Sequence, residues 1–318
     1  MLKKFSRLVV VGFLAAALLT GTASAAPLNF DPDNAIAQYT QKIQADPSNA
    51  VAYQNRAQAY KLKIDYEKAV ADFNRAIEID PNYSDAYNNR GTVYEKLNRL
   101  DEAFKDYDRA VAINPNNAVA YNNRGLLTGK RADYMQKSGR ENEGKSLYNR
   151  ALADLSRAIE INPNFAEAYQ NRGVVYSWMP DVENAVKDLS RAIDLGINTT
   201  EIYVTRAACY RSLNKDLALA DLDKALAIDS NYGTAYNNRG LIYYDRKDYQ
   251  RAIADFKKAI EIGSDLVSSF NNLGLCYYRL GEYDAAIDCY TRALSVDQNF
   301  QPAIQNMQVA YEAKAKRG

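Results

Sequence analysis

From residue 50 onward, apolar residues recur at helical spacing through segments of about a dozen residues, each pair of segments being separated by a polar turn such as Lys63-Ile64-Asp65. A second kind of break follows every other segment. It is typified by Ala76-Ile77-Glu78-Ile79-Asp80-Pro81-Asn82-Tyr83, where proline stops the helix and Asp and Asn favour the turn. The pattern predicts helix, short turn, helix, proline-marked stop, and so a chain of helical hairpins.

The hairpins repeat. Ala52-Tyr53-Gln54-Asn55-Arg56-Ala57 returns 34 residues later as Ala86-Tyr87-Asn88-Asn89-Arg90-Gly91, and 34 later again as Ala120-Tyr121-Asn122-Asn123-Arg124-Gly125. Related phrases open near Ala168, Ile202, Ala235 and Ser269, which makes seven units: 50–83, 84–117, 118–165, 166–199, 200–232, 233–266 and 267–300. Counted from the first residue of a unit, with the third unit's insertion and the fifth's deletion aligned out, the eighth position is always Gly or Ala, and the twentieth and twenty-seventh are always Ala. Small residues there let helices approach closely. Tyr or Phe at the fourth position, and usually at the eleventh and twenty-fourth, fill the space between them.

These residues resemble the tetratricopeptide repeat, over nearly all of residues 33–318. The resemblance implies an all-α, right-handed superhelical solenoid of antiparallel helical hairpins, in which the first helix of each unit lines a concave groove. Residues 33–49 match only the second helix of a unit, and 301–318 read as a terminal helix, so the ends act as caps. Ile197, Ser230, Ser264 and Gln298 replace the closing proline, which leaves those four turns open to another construction. The third unit carries 14 extra residues. Two added turns on each helix, meeting at Ser138-Gly139-Arg140, would preserve both faces of the hairpin; the alternative is a polar loop, favoured by Gly129, Gly144 and the charged run 137–145.

Arginine occupies the seventh position of six units (Arg56, Arg90, Arg124, Arg172, Arg206, Arg239), and aspartate the twenty-third (Asp72, Asp106, Asp154, Asp188, Asp221, Asp255). In the last unit both change together, to Leu273 and Cys289. Across an antiparallel hairpin these positions face one another, predicting planar, two-pronged ion pairs. The competing reading is an arginine row that receives acidic ligands.

By the resemblance, the second, fifth, sixth, ninth, twelfth and thirteenth positions point into the groove. The sixth carries Asn55, Asn89, Asn123, Asn171, Asn238 and Asn272, interrupted by Thr205. A carboxamide offers an acceptor and two donors, which suits the backbone of an extended peptide; the repeat arm of O-linked N-acetylglucosamine transferases has a similar ladder. The alternative is that these asparagines bond neighbouring helices. Six rungs at a net ~1 kcal/mol each yield ~6 kcal/mol, most of which association entropy removes, whereas micromolar binding needs ~8 kcal/mol. Side-chain anchors are therefore required: Leu241 and Leu275 at the ninth position, Tyr244 and Tyr278 at the twelfth, with Asn237, Asn271 and Trp178 beside them. Packing between helices competes for the same aromatics. Chaperone-adaptor repeats grip a terminal carboxylate with lysine at the fifth position; here Gln54, Asn88, Asn122, Gln170, Val204, Asn237 and Asn271 stand there, so that clamp is absent.

The beginning of the chain has a different character. Basic Lys3, Lys4 and Arg7 precede an apolar run from Leu8 to Leu19 and then Ala23-Ser24-Ala25, the order of a secretory signal peptide (1–25) followed by a short linker (26–32). Twelve apolar residues fall short of the ~20 needed to span a bilayer, so no integral membrane segment is expected after cleavage. The expected destination is the bacterial periplasm or cell surface.

Composition narrows the function. The 318 residues include no histidine, three cysteines, and 40 Lys+Arg against 39 Asp+Glu. Histidine-dependent nucleophilic devices and imidazole metal sites are excluded. No long basic run offers a footprint for nucleic acid, and three dispersed thiols make a metal site or other cofactor unexpected. Cys276 and Cys289 could face across one hairpin, as buried thiols or as a disulfide. The expected function is an exported scaffold that binds protein or extended peptide segments. A self-assembling envelope protein is the alternative, and an enzyme the remote one, since repeats and caps leave no room for a catalytic domain.

Overall fold

A computed structural model describes residues 31–316; the segment read as a signal peptide lies outside the described residues. Those residues form sixteen α-helices and no strand. They are α1 (Pro32–Ala45), α2 (Ala50–Leu62), α3 (Tyr66–Ile79), α4 (Ser84–Lys96), α5 (Leu100–Ile113), α6 (Ala118–Lys137), α7 (Glu141–Ile161) and α8 (Ala166–Trp178). The second half continues with α9 (Val182–Asp194), α10 (Thr200–Leu213), α11 (Lys215–Ile228), α12 (Gly233–Asp245), α13 (Tyr249–Ile262), α14 (Leu266–Leu280), α15 (Tyr283–Val296) and α16 (Gln301–Ala315).

The breaks have chemical causes. Inside four of the hairpins, an acidic or amide side chain caps the second helix: Asp65 accepts from the Lys68 N–H, Asp181 from Asn184, Asp248 from Arg251, and Asn214 from Asp216 and Leu217. Between hairpins, a side-chain oxygen bonds the N–H two residues on, as Asp80 does with Asn82 and Asn114 with Asn116. Asp229–Asn231 and Asp297–Asn299 keep that bond although proline is gone. The other two substituted turns are built differently, around Gly196 (φ +106°) and Gly263 (φ +80°), a backbone conformation open to glycine at no steric cost. The inserted residues of the third unit are helical. α6 and α7 are 20 and 21 residues long and meet at Gly139 (φ +82°).

The described residues fall into two compact units, divided after Leu127. In the first unit, Ala57, Ala69, Phe73 and Val93 form one buried cluster and Tyr94, Ala103, Tyr107 and Leu127 another. In the second, Ala132, Tyr148, Ala151, Leu155 and Val175 pack the base of the long hairpin. Beyond them a larger cluster runs from Leu189 to Ile242, and further ones surround Phe256 and Tyr290. The eighth-position glycines explain the close packing. A Cβ on Gly91 would lie 2.7 Å from the Tyr107 ring, on Gly240 2.7 Å from Phe256, and on Gly274 2.5 Å from Tyr290. In these hairpins the bulky residue at the twenty-fourth position thus presses on the eighth-position glycine.

Within each unit the first helices of successive hairpins approach one another, α2 with α4, α8 with α10, α10 with α12 and α12 with α14, whereas the second helices do not. The first helices therefore lie on the tighter, inner side of each unit.

Candidate functional site

The arginine–aspartate pairs stand at the back of that inner layer. Arg56 donates through Nε and Nη2 to the two oxygens of Asp72 at 2.7 Å each; Arg90–Asp106, Arg172–Asp188, Arg206–Asp221 and Arg239–Asp255 repeat the geometry at 2.6–3.0 Å. Arg124 and Asp154 belong to different units, and their pairing stays an expectation. The carboxylates are buried. Hydrogen bonding to Asp255 raises the Arg239 guanidinium further above its usual range, and burial pushes the Asp106 carboxyl up against the pull of Arg90. These arginines are structural, with their forks already filled.

Each of these arginines also has a third partner that the sequence reading missed. Nη1 reaches the side chain sixteen residues earlier: Thr40 for Arg56, Asn74 for Arg90, Asp108 for Arg124, Ser156 for Arg172, Ser190 for Arg206 and Asp223 for Arg239, at 2.7–3.1 Å. The signal was present, because every one of those positions carries an oxygen acceptor. The guanidinium also lies over the tyrosine three residues before it, as with Arg90 over Tyr87 at 5.5 Å and Arg239 over Tyr236 at 5.4 Å.

The asparagines divide into engaged and open ones. Asn123 donates to Asn88 of the preceding first helix at 2.9 Å, Asn272 to Asn237 at 3.2 Å, and Asn306 of α16 to Asn271 at 2.9 Å. Sixth-position amides thus bond fifth-position amides one hairpin earlier, and Asn88 and Asn271 are buried. Elsewhere the rung is open, in two cases because no fifth-position acceptor stands one hairpin earlier. Val204 precedes Asn238, and α1 contributes no first-helix partner to Asn55; both carboxamides are half-buried and have no hydrogen-bond partner among the described residues. Asn89 accepts from Asn88 at 3.3 Å while its N–H groups find no acceptor among the described residues, and on α2 the Gln54 Oε1 is buried with no partner. Asn171 is engaged.

The aromatic anchors are half-buried. Leu241 and Tyr244 pack on the Phe256 cluster, and Tyr278 on the Tyr290 cluster. Tyr244 meets Tyr249, and Tyr278 meets Tyr283, each with ring centroids 5.6 Å apart. Arg279 donates to the Tyr244 hydroxyl at 2.9 Å and holds that ring in place. Leu275 is half-buried on the same helix, α14. Trp178 packs against the long hairpin, its ring 3.3 Å from the position of a Cβ on Gly129, so it is committed to the core at least in part.

Cys276 and Cys289 are free buried thiols in one cluster. Burial pushes them up to about 12 and about 11 respectively, which keeps both protonated. Among the described residues no group of side chains has the makings of a metal site, and no helix is long and apolar enough to cross a membrane.

Family comparisons meet this geometry repeat by repeat. Models of the tetratricopeptide repeat match residues 84–117 and 231–299, and a TPR-repeat model matches 65–98 and 146–177. The chain is a tetratricopeptide-repeat protein. Among solved structures, this TPR protein is similar to a tetratricopeptide repeat protein from Parabacteroides merdae, at 17% identity and a TM-score of 0.56, covering 87% of this chain and 99% of that one. It is also similar to the Cut9–Hcn1 APC/C hetero-tetramer structure, at 18% identity and a TM-score of 0.57, covering 87% of this chain and 52% of that one. Both likenesses are to the fold. No curated protein matches the TPR chain in sequence.

Proposed function

We propose that the chain is a non-catalytic scaffold that holds an extended peptide or protein segment on the inner face of its first helices. The observation that carries this reading is the state of Asn55 and Asn238. Their carboxamides are half-buried on that face and have no partner among the described residues, while the amides of Asn123 and Asn272 are engaged with neighbouring helices. A polar group left in that state gains by meeting a peptide N–H or C=O. Around Asn238, the half-buried Leu241, Tyr244, Leu275 and Tyr278 supply the apolar contact that backbone bonding alone lacks.

The same proposal includes export. The order Lys3–Arg7, Leu8–Leu19, Ala23-Ser24-Ala25 supports cleavage after Ala25 and delivery to the periplasm or cell surface. Expression in a secreting bacterial host should yield a product beginning at Ala26, read by intact mass; a full-length cytoplasmic product would overturn this part.

The groove is tested with Asn238→Ala and Asn272→Ala measured separately, using hits from a random extended-peptide library and Trp178 fluorescence. Asn238→Ala should weaken binding with an unchanged melting point, because its amide bonds nothing in the fold. Asn272→Ala should lower stability by ~1 kcal/mol by stranding the Asn237 oxygen. A library without hits, joined to mass that rises with concentration in light scattering, would favour the self-assembling alternative.

A further inference from the structure

In the first unit, Lys61 and the exposed Lys96 have no ion pair among the described residues. Lys61 lies in the last turn of α2 and Lys96 ends α4, at the twelfth and thirteenth positions of successive hairpins and so at the same end of the inner face. Lys61 is half-buried, and its ammonium makes one hydrogen bond, 3.3 Å long, to the neutral hydroxyl of Thr92, which itself donates to the Asn89 carbonyl at 2.7 Å. Lys96 has no ion pair among the described residues. Some other lysines find acids, Lys63 with Asp33, Lys68 with Asp65, Lys258 with Glu261 and Lys314 with Asp284, while Lys105, Lys145, Lys187 and Lys247 stand exposed without an ion pair among the described residues; Lys61 differs from those in being half-buried.

The electrostatics point the same way. The charged group that acts on Lys61 is Lys96, and burial together with that like charge pushes its ammonium down to about 8. Glu95, next to Lys96, accepts the Tyr107 hydroxyl at 2.6 Å. The carbonyl ends of α2 and α4 offset part of the repulsion, but a last-turn lysine needs no burial for that purpose. The open polar atoms of this unit, Gln54 Oε1, the Asn55 carboxamide and the Asn89 N–H groups, lie on these two helices.

We propose that Lys61, Lys96 and the Thr92 hydroxyl form a carboxylate-binding site, so that the peptide held by the first unit carries an acidic side chain. The proposal rests on the peptide-binding reading above and names the chemistry of its partner at one end. An anion here turns a repulsive pair into a charge-assisted one, while the open amides on the same helices take the peptide backbone. The site does not depend on the fifth-position lysine of chaperone-adaptor repeats, which this chain lacks.

The test uses the full chain and an array of acetylated, amidated twelve-residue peptides in matched pairs, Asp or Glu in one member and Asn or Gln in the other. A third set has neutral side chains and a free terminal carboxylate. The acidic member should bind about tenfold or more tightly than its neutral twin, one tenfold step being a modest return for a charge-assisted hydrogen bond. Lys61→Met with Lys96→Met should erase that preference without lowering the melting point, whereas Lys63→Met should leave it intact. In parallel, acetylation of Lys61 at pH 8, located by peptide mass, should slow when the acidic peptide is added.

Equal binding of both twins, or a preference that survives the double variant, overturns the carboxylate site and leaves the groove reading standing. Preference for the free-terminus set over the internal acids overturns the side-chain assignment, and so does protection of Lys61 by inorganic phosphate but not by acidic peptides. Absence of any peptide binding removes the groove reading and this proposal with it.

Discussion

Arg239 holds Asp255 by two parallel hydrogen bonds of 2.8 Å each, from α12 to α13 of one hairpin. In the next hairpin Leu273 and Cys289 occupy the equivalent places and lie in one apolar cluster. The two solutions are interchangeable only as pairs. Arg239→Leu alone should cost about 3–5 kcal/mol, since it leaves a buried carboxylate without its counter-ion. Adding Asp255→Cys should recover much of that loss, as read from urea unfolding midpoints; a double variant no more stable than the single would refute the pairing.

Gly240 makes a second point of sensitivity. Valine there would drive side-chain atoms into Phe256, which is fully buried and has no room to withdraw. The expected loss is about 1–3 kcal/mol. Shortening the ring in the same molecule, Gly240→Val with Phe256→Leu, should restore part of it, because three other hairpins use leucine (Leu155, Leu189, Leu222) at that position.

How far the sequence could be read follows from such contacts. Intra-hairpin relationships were legible, since fixed spacing across one turn decides which residues meet: arginine with aspartate, glycine with the bulky twenty-fourth position. Contacts between successive hairpins were not. The bond from Arg90 to Asn74, and that from Asn123 to Asn88, depend on how far one hairpin is rotated on the last, which a period of 34 does not encode. The asparagine ladder therefore reads as a uniform row in sequence, yet it divides into engaged rungs and open ones such as Asn238, the difference being made by Val204 one repeat earlier.

Cys276 and Cys289 give a chemical prediction. With both thiols pushed up by burial, to about 12 and about 11, iodoacetamide at pH 8 should modify neither in the native chain. In denaturant without reductant all three cysteines should react, which intact mass will count. Two missing additions would reveal a disulfide.

Lys61 makes stability depend on alkaline pH. Its native value of about 8 lies below the ordinary 10.5, so between those values the unfolded chain holds a proton that the native chain has released. Stability should therefore rise as the pH increases from about 8 to about 10.5, and the native penalty is present in full below that window. The groups facing Lys61 are Lys96 and the Thr92 hydroxyl. Lys61→Met should flatten the rise; an identical slope in the variant would place the titration elsewhere.

The third bond of each arginine bears on how the array comes apart. Arg172, Arg206 and Arg239 each tie their own hairpin to the helix before it, through Ser156, Ser190 and Asp223. A repeat array unfolds according to the balance between the intrinsic stability of each repeat and its coupling to the neighbour. Here the coupling is polar and directional as well as apolar, which favours long cooperative blocks over repeat-by-repeat melting. Leu273 breaks the series, so the last hairpin and α16 are held to the rest by apolar packing and by the Asn272–Asn237 and Arg279–Tyr244 bonds. Hydrogen exchange should accordingly begin from that end, and a thermal trace should show a small early step belonging to residues 267–316.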